Sequence, residues 1–143
     1  MGPRVPTLVT PAGEVSTADH EFSTALPSTD AAPAMARHRV AAACLGWPQV
    51  TVDVALILTS ELVTNAVRHG GGPIRLDMEL TEGVLHVEVY DGSPAVPRRT
   101  PASRPDGESG HGLVIVAELA SDWGARTRTD SPGKVVWFDL RLG

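Results

Sequence analysis

The sequence is poor in the features on which several classes of protein depend. Its 143 residues include one cysteine, Cys44, which excludes an internal disulfide and favours a reducing compartment. Lysine and arginine number 12 against 17 aspartates and glutamates, so the formal net charge is −5. Because phosphate backbones and anionic lipids attract an excess of basic residues, this balance argues against direct binding of nucleic acid or membrane surfaces.

Targeting and membrane segments are not evident in the sequence either. Met1–Thr10 lacks the sustained apolar stretch of a signal peptide, and we expect no apolar run long enough to span a bilayer. We therefore predict a cytoplasmic protein. Aromatic residues make up only 4% of the chain while 42% of it is hydrophobic. This composition predicts one domain with an aliphatic core between helices and a sheet.

Prolines and glycines divide the chain into a leader and one domain. Residues 1–19 are rich in proline, show little apolar pattern and predict a flexible leader before a domain over residues 20–143. The periodic segments of that domain are, in order, a strand at Glu21–Leu26, helices at Pro33–Leu45 and Thr51–His69, strands at Ile74–Leu80 and Val84–Tyr90, a helix at His111–Ser121, and strands at Gly124–Thr129 and Val135–Leu142. Strands that pair as hairpins, with the helices free to cover one face, predict a two-layer α+β sandwich with a mixed, mostly antiparallel sheet.

The helix predicted from Thr51, whose hydroxyl can cap its first turn, carries two polar residues among apolar ones. Glu61 and Asn65 are four residues apart and share a face, and Arg68 and His69 follow on the next turn. A carboxylate and a carboxamide oxygen one turn apart suit a hard cation and a hydroxyl to be deprotonated. The alternative is a solvated stripe on an amphipathic helix, which the spacing alone slightly favours.

Asp91 stands at the end of the second predicted strand. By two-residue alternation it shares a face with Leu85, Val87 and Val89, so its carboxylate continues the core face at its open end. There it can accept a hydrogen bond from an exocyclic amine such as that of adenine. The alternative is an aspartate that starts the Asp-Gly-Ser-Pro turn, which is the simpler explanation for this residue alone.

A second glycine-containing segment, Gly110–Leu113, leads into a predicted helix. Glycines let backbone N–H groups approach a phosphate closely, and the helix N-terminus adds a positive partial charge. A plain helix-entry turn is the alternative. The segment lacks the preceding strand of a dinucleotide-binding fingerprint and the Gly-Lys-Ser or Gly-Lys-Thr of a Walker loop.

The stretch before this segment, Ser93–Ser109, is long and rich in proline. Loops of this length are uncommon inside a compact domain and are often functional. The stretch carries three arginines, Arg98, Arg99 and Arg104. They predict either a lid that folds over a triphosphate or an ordinary solvated loop.

Taken in order, these motifs resemble those of the GHKL ATPases, the Bergerat-fold family. Ser60–His69 resembles the N box in the version found in anti-sigma-factor serine kinases, and Val87–Asp91 lies where the first glycine box begins. Gly110–Leu113 resembles the second glycine box, and Gly133–Phe138 resembles the closing strand motif. The chain looks like the short ATP-binding regulators of this group in actinobacteria, and the resemblance covers nearly the whole predicted domain.

The resemblance implies a Bergerat-type sandwich that binds ATP and Mg²⁺ between its helices, under a lid. It implies that Glu61 is the general base for a protein serine hydroxyl, that Asn65 ligates Mg²⁺ and that Asp91 recognises the adenine amine. The other nucleotide-binding residues that it implies are Arg68, His69, Gly110, His111, Gly112 and Leu113. It also implies a serine/threonine protein kinase and anti-sigma factor that forms a homodimer and whose partners are a STAS-type antagonist and a sigma factor.

Departures from the family pattern leave a second function open. The first box of the family is Asp-x-Gly-x-Gly, whereas Ser93 and Ala95 replace both of its glycines here. In the closing motif Lys134 stands where threonine is frequent. The alternative function is therefore a non-catalytic regulator that binds ATP, or that binds a partner without nucleotide.

Overall fold

The computed structural model describes residues 20–93, 108–128 and 132–141. Its strands and helices are β1 (His20–Leu26), α1 (Ala32–Ala43), α2 (Gln49–Asn65), β2 (Ile74–Thr81), β3 (Val84–Asp91), α3 (Glu108–Leu119), β4 (Asp122–Thr127) and β5 (Lys134–Arg141). Each lies within a few residues of a predicted segment, and the α+β sandwich is confirmed. The predicted leader, the lid arginines Arg98, Arg99 and Arg104, and Ala95 lie outside the described residues.

The strands form one sheet in the order β1-β2-β3-β5-β4. The expectation of a mixed sheet is corrected, because every pairing among the described strands is antiparallel. A two-residue turn joins β2 to β3, and both of its residues, Glu82 and Gly83, have positive φ, as tight hairpin turns require. After α3 the chain returns so that β5 pairs with β3, which places Lys134 opposite Asp91.

Alternate residues of the strands face the helices and form the core. Leu76, Val87 and Phe138 are fully buried and belong to one cluster with residues of α1, α2 and α3. Helix α2 is the central helix and contacts α1 and α3. Burying a side chain such as that of Phe138 contributes roughly 1.5–3 kcal/mol. Cys44 joins this cluster, and burial raises the pKa of its thiol to about 11.

Helix α2 begins two residues earlier than the sequence analysis expected. Its first residue is Gln49, so Pro48 and not Thr51 takes the N-cap position. Thr51 lies inside the first turn and donates its backbone N–H to the carbonyl oxygen of Pro48 at 3.0 Å. Proline has no backbone N–H of its own and its φ is already restricted, so it can start a helix without a capping hydroxyl.

The apolar length of this helix also exceeds the expectation. Together with the turn that follows, it forms a 21-residue helix, Gln49–His69, that is long and apolar enough to cross a membrane by length and composition alone. The core helix of a soluble protein passes the same test. Ala55, Leu58 and Leu62 of α2 are buried in the hydrophobic cluster, whereas Val50 and Ile57 of the same helix are exposed.

Candidate functional site

Helix α2 ends beside the end of β3, at one edge of the sandwich. The α-helix gives way at Ala66–Gly70 to a π turn, a form frequent at functional sites. Gly71 has φ +75 and closes this turn. Its carbonyl oxygen accepts a hydrogen bond of 2.9 Å from the backbone N–H of Gly92. This bond ties the segment after Asn65 to the segment after Asp91, so both residues belong to one edge.

The carboxylate of Asp91 is buried on the inner face of the sheet, where strand alternation placed it. Asp91 is 2% exposed. Its Oδ1 and Oδ2 lie 3.0 and 2.8 Å from Nζ of Lys134, and Oδ1 also accepts the backbone N–H of Ser93 at 2.8 Å. The two interpretations made from the sequence are thus compatible, since the same carboxylate faces inward and holds the turn that follows β3.

The ammonium of Lys134 is the partner that the sequence analysis missed. Lys134 is itself only 6% exposed, and a buried charge needs a hydrogen-bonded counter-charge. The pairing register of β3 and β5 is the signal that would identify Lys134, because the first residue of β5 meets Asp91 only when these two strands pair. Hydrophobic alternation within each strand does not specify that register between strands 43 residues apart.

Gly133 fits β5 tightly against the end of β3. It has φ +123, and a Cβ built on it would lie 2.2 Å from the carbonyl oxygen of Asp91. Both the backbone conformation and the lack of space therefore require glycine here. The close approach fixes the backbone of Lys134 beside that of Asp91, so the ion pair is set by backbone packing as well as by charge.

Glu61 and Asn65 lie on successive turns of α2, as predicted, and both are partly buried. Asn65 is the last residue of the α-helix, immediately before the π turn. Arg68 and His69 lie within that turn and are exposed. The π turn was not predicted, because apolar periodicity does not distinguish one wide turn at a helix end from an ordinary α turn.

The oxygen donors of Glu61 and Asn65 fit Mg²⁺ only in combination with another ligand. Among residues 20–93, 108–128 and 132–141, no group of three or more histidines, cysteines, aspartates or glutamates is arranged to hold a metal. Mg²⁺ is commonly held by one or two protein oxygens together with waters and substrate phosphates. The carboxamide oxygen of Asn65 suits that mode as a single protein ligand.

The glycine segment lies inside a helix and not in a loop before it. Helix α3 begins at Glu108, so Gly110, His111, Gly112 and Leu113 all belong to its first turns. This corrects the predicted start at His111. The first four backbone N–H groups of an α-helix, from the N-cap to the third helical residue, have no partner within the helix, and those of Ser109 and Gly110 are among them in α3. A helix N-terminus of this kind suits a phosphate.

The opposite face of the sheet carries a second group of charges. His86 Nδ1 lies 2.5 Å from Asp139 Oδ1, and its Nε2 lies 2.9 Å from Glu88 Oε2. Tyr90 donates its hydroxyl to Glu88 Oε1 at 2.9 Å, and Arg126 approaches Glu88 Oε2 at 3.4 Å. Two open cavities of about 460 and 490 Å³ lie on this face, and neither is lined by Asn65 or Asp91.

We call this group of charges the open-face cluster, and the pKa values of several of its residues are shifted. Burial alone would lower the pKa of His86, but hydrogen bonds and charge interactions with Glu88 and Asp139 outweigh it and raise this pKa. For Glu88, burial acts to raise the pKa, and the hydrogen bonds from His86 and Tyr90 reverse that effect and lower it. The two shifts favour a charged histidine between carboxylates.

Comparisons with known proteins agree with the fold. Residues 24–140 match the family model described as the histidine kinase-like ATPase domain. Signal transduction histidine-protein kinase AfsQ2 of Streptomyces coelicolor (strain ATCC BAA-471 / A3(2) / M145) is 31% identical over 99 residues, which are 60% of this chain and 18% of that protein. The crystal structure of the RsbU and RsbW domains of Rv1364c from Mycobacterium tuberculosis has a TM-score of 0.61 at 21% identity, over 86% of this chain and 32% of that one. At that identity the structural likeness shows the fold alone, and the chain spans only a minor part of either protein.

Proposed function

This chain belongs to the histidine kinase-like ATPase family, and on that premise we propose that it is an ATP-binding anti-sigma factor with serine/threonine protein kinase activity toward an antagonist protein. The buried inner-face carboxylate of Asp91 supports the proposal most strongly. A carboxylate at the open end of a strand is a hydrogen-bond acceptor that suits an adenine amine, which can donate to it in place of the Lys134 ammonium.

Asp91 and the residues around it have separate proposed roles in phosphoryl transfer. Asp91 recognises the adenine base, and the backbone N–H groups at the start of α3 donate hydrogen bonds to phosphate oxygens. Asn65 would hold Mg²⁺, which supplies charge neutralisation at the phosphates when bound. Arg68 and His69 on the exposed π turn, and Arg98, Arg99 and Arg104 of the loop, are proposed as further contacts to the nucleotide.

Glu61 is the proposed general base. Its carboxylate accepts the proton of a serine hydroxyl on the antagonist while the serine oxygen forms a bond to the γ-phosphorus of ATP. The bond from that phosphorus to the β–γ bridging oxygen breaks, and ADP leaves. A positioned base of this kind contributes about 10²–10⁴-fold to the rate.

Transfer of ³²P from [γ-³²P]ATP with Mg²⁺ to purified STAS-domain proteins encoded near this chain tests the proposal. Label on a serine is expected with the wild-type protein. Glu61→Gln should reduce transfer about 10²–10⁴-fold while calorimetry shows ATP binding within a few-fold of wild type. Glu79→Gln, an exposed glutamate on the outer face of β2, is the matched control and should transfer normally. Wild-type transfer by Glu61→Gln would exclude Glu61 as the base.

The second candidate function is regulation by contact alone, without catalysis. The ion pair between Lys134 and Asp91 favours it, because the carboxylate already has a partner in the protein. In that case calorimetry and thermal denaturation at millimolar ATP and Mg²⁺ should show neither heat nor a shift in Tm. Heat of binding with one nucleotide per chain would eliminate the nucleotide-free version of this function.

The proposed partners are a STAS-type antagonist and a sigma factor, with the protein acting as a cytoplasmic homodimer. The fold shared with the RsbW-containing structure is compatible with these partners. Light scattering coupled to size-exclusion chromatography tests the dimer. A molar mass that stays at 15.0 kDa across micromolar concentrations would contradict it.

A further inference from the structure

The carboxylate that is proposed to recognise adenine is already occupied from within the protein. One ammonium, that of Lys134, lies within hydrogen-bond distance of both oxygens of Asp91, and the N–H of Ser93 takes a further position on Oδ1. A carboxylate offers about four acceptor positions. Three of them are therefore in use before any ligand arrives.

Access to Asp91 is as limited as its free acceptor positions. The side chains of Lys134 and Asp91 are 8% and 2% exposed. A ligand atom cannot reach a carboxylate that has almost no exposed surface unless a covering group moves. Lys134 lies directly on both oxygens and belongs to the same inner face.

Among the described residues that cover Asp91, the side chain of Lys134 can make that movement. Its backbone is held in register with Asp91, and Gly133 packs its Cα against the carbonyl oxygen of Asp91 with no space for a Cβ. A lysine has four methylene groups and rotates readily, so its ammonium can leave a carboxylate without displacement of the strand.

We infer that Lys134 is an internal competitor for the adenine subsite, so that a nucleotide binds only when its exocyclic amine displaces the Lys134 ammonium from Asp91. The inference rests on the proposed function, since it takes ATP binding at Asp91 as given. It makes Lys134 the residue that sets the nucleotide affinity of this chain. The affinity of the wild-type protein is then lower than the pocket itself would allow.

Replacement of Lys134 by methionine tests the competition. Methionine is nearly as long and fills a similar space but does not pair with a carboxylate. Lys134→Met should bind ATP with Mg²⁺ about 10- to 100-fold more tightly than wild type by calorimetry, the range for one hydrogen bond to a charged group. Because ATP is an anion, loss of a positive charge would by itself weaken binding, so a gain has to come from the freed carboxylate.

Two further variants are the controls. Lys134→Arg keeps a cation on Asp91 and should bind ATP within about threefold of wild type. Asp91→Asn combined with Lys134→Met removes the freed carboxylate and should abolish the gain. If Lys134→Met does not fold, Lys134→Gln takes its place, because a neutral amide donates a weaker hydrogen bond to Asp91 than an ammonium does.

The outcomes separate this inference from the proposed function. If the wild-type protein binds ATP and Lys134→Met binds it equally or more weakly, the competition is overturned while ATP binding stands. If neither the wild-type protein nor any folded variant binds ATP, the proposed function fails and the inference fails with it. If Lys134→Met binds ATP more tightly than the wild type and the double variant with Asp91→Asn loses that gain, the result supports the inference and the proposed function.

Discussion

Strand β3 carries a charged site on each of its faces, and the two sites differ in burial and in number of partners. On the helix-covered face, Asp91 is 2% exposed and pairs with the single cation Lys134. On the open face, Glu88 is 17% exposed and shares its oxygens among His86, Tyr90 and Arg126. The same strand thus places one buried ion pair and one partly exposed network of charges three residues apart.

The difference teaches what each site can do. At the buried inner site, the loss of one partner leaves an uncompensated charge. This site therefore resists any change except exchange of one hydrogen-bond donor for another. At the open face, water and neighbouring groups replace a lost partner, so each interaction contributes little. A site that exchanges donors suits ligand recognition, whereas the open network responds to pH.

Deletion of one member of the buried pair is expected to have the largest effect on stability. Lys134→Met should lower the free energy of unfolding by about 3–5 kcal/mol, because Asp91 is left charged and buried. Asp91→Leu combined with Lys134→Met removes both charges and should cost less than the single change. Urea unfolding of the wild type, of Lys134→Met and Asp91→Leu singly, and of the double variant gives the comparison. A double variant whose loss is the sum of two single losses would contradict a coupled pair.

The backbone contact beneath that pair is expected to have the next largest effect. Gly133→Ala should lower the free energy of unfolding by about 2 kcal/mol or more, from positive φ and from overlap with the carbonyl oxygen of Asp91. Gly46→Ala is the matched control, since Gly46 has φ +93 but no atom within 4 Å of its Cβ position. The difference between the two variants measures the overlap alone, and equal losses would show that the contact relaxes freely.

The open-face cluster is expected to have the smallest effect, and one that depends on pH. The raised pKa of His86 stabilises the fold below its ordinary value of 6.5, and this contribution is lost as pH rises through the folded pKa. The lowered pKa of Glu88 contributes above its ordinary value of 4.5 and is lost as pH falls through the folded pKa. Both contributions are therefore present between these two values.

Urea unfolding of the wild type and His86→Gln at about pH 5.5 and about pH 8.5 checks this sign. The wild type should exceed the variant by about 1 kcal/mol or less at the lower pH, because the cluster is partly exposed, and by less at the higher pH. His38→Gln, an exposed histidine on α1, controls for loss of a histidine outside the cluster. A larger advantage at the higher pH would exclude a charged His86.

Local patterns predicted most of the fold. The alternation in β2 and β3, the turn at Glu82 and Gly83, and the apolar run of α2 each depend on residues close together in sequence. The wrong predictions of helix starts also came from the preferences of single residues. Thr51 is a good capping residue, but Pro48 starts the helix earlier, and α3, predicted to start at His111, already begins at Glu108. Capping and glycine preferences are weak enough for tertiary packing to override them.

The positions of the candidate site residues on their helix and strand were predictable, and their contacts were not. The four-residue spacing of Glu61 and Asn65 places them on one helix face whatever that helix packs against. The inward direction of Asp91 follows from strand alternation in the same way. The roles of Arg68, His69 and the second glycine segment stay predictions, as do those of the lid arginines.

The sequence by itself determined the order of the elements, the core face of each one and the inward carboxylate of Asp91, because these depend on periodicity within a few residues. Only the tertiary structure decided that Lys134 is the partner of that carboxylate. The pairing of β5 with β3 joins residues 43 positions apart, and the contact of Gly133 with Asp91 holds that register. No local pattern encodes a register between distant strands, and for that reason only the fold shows which cation meets Asp91.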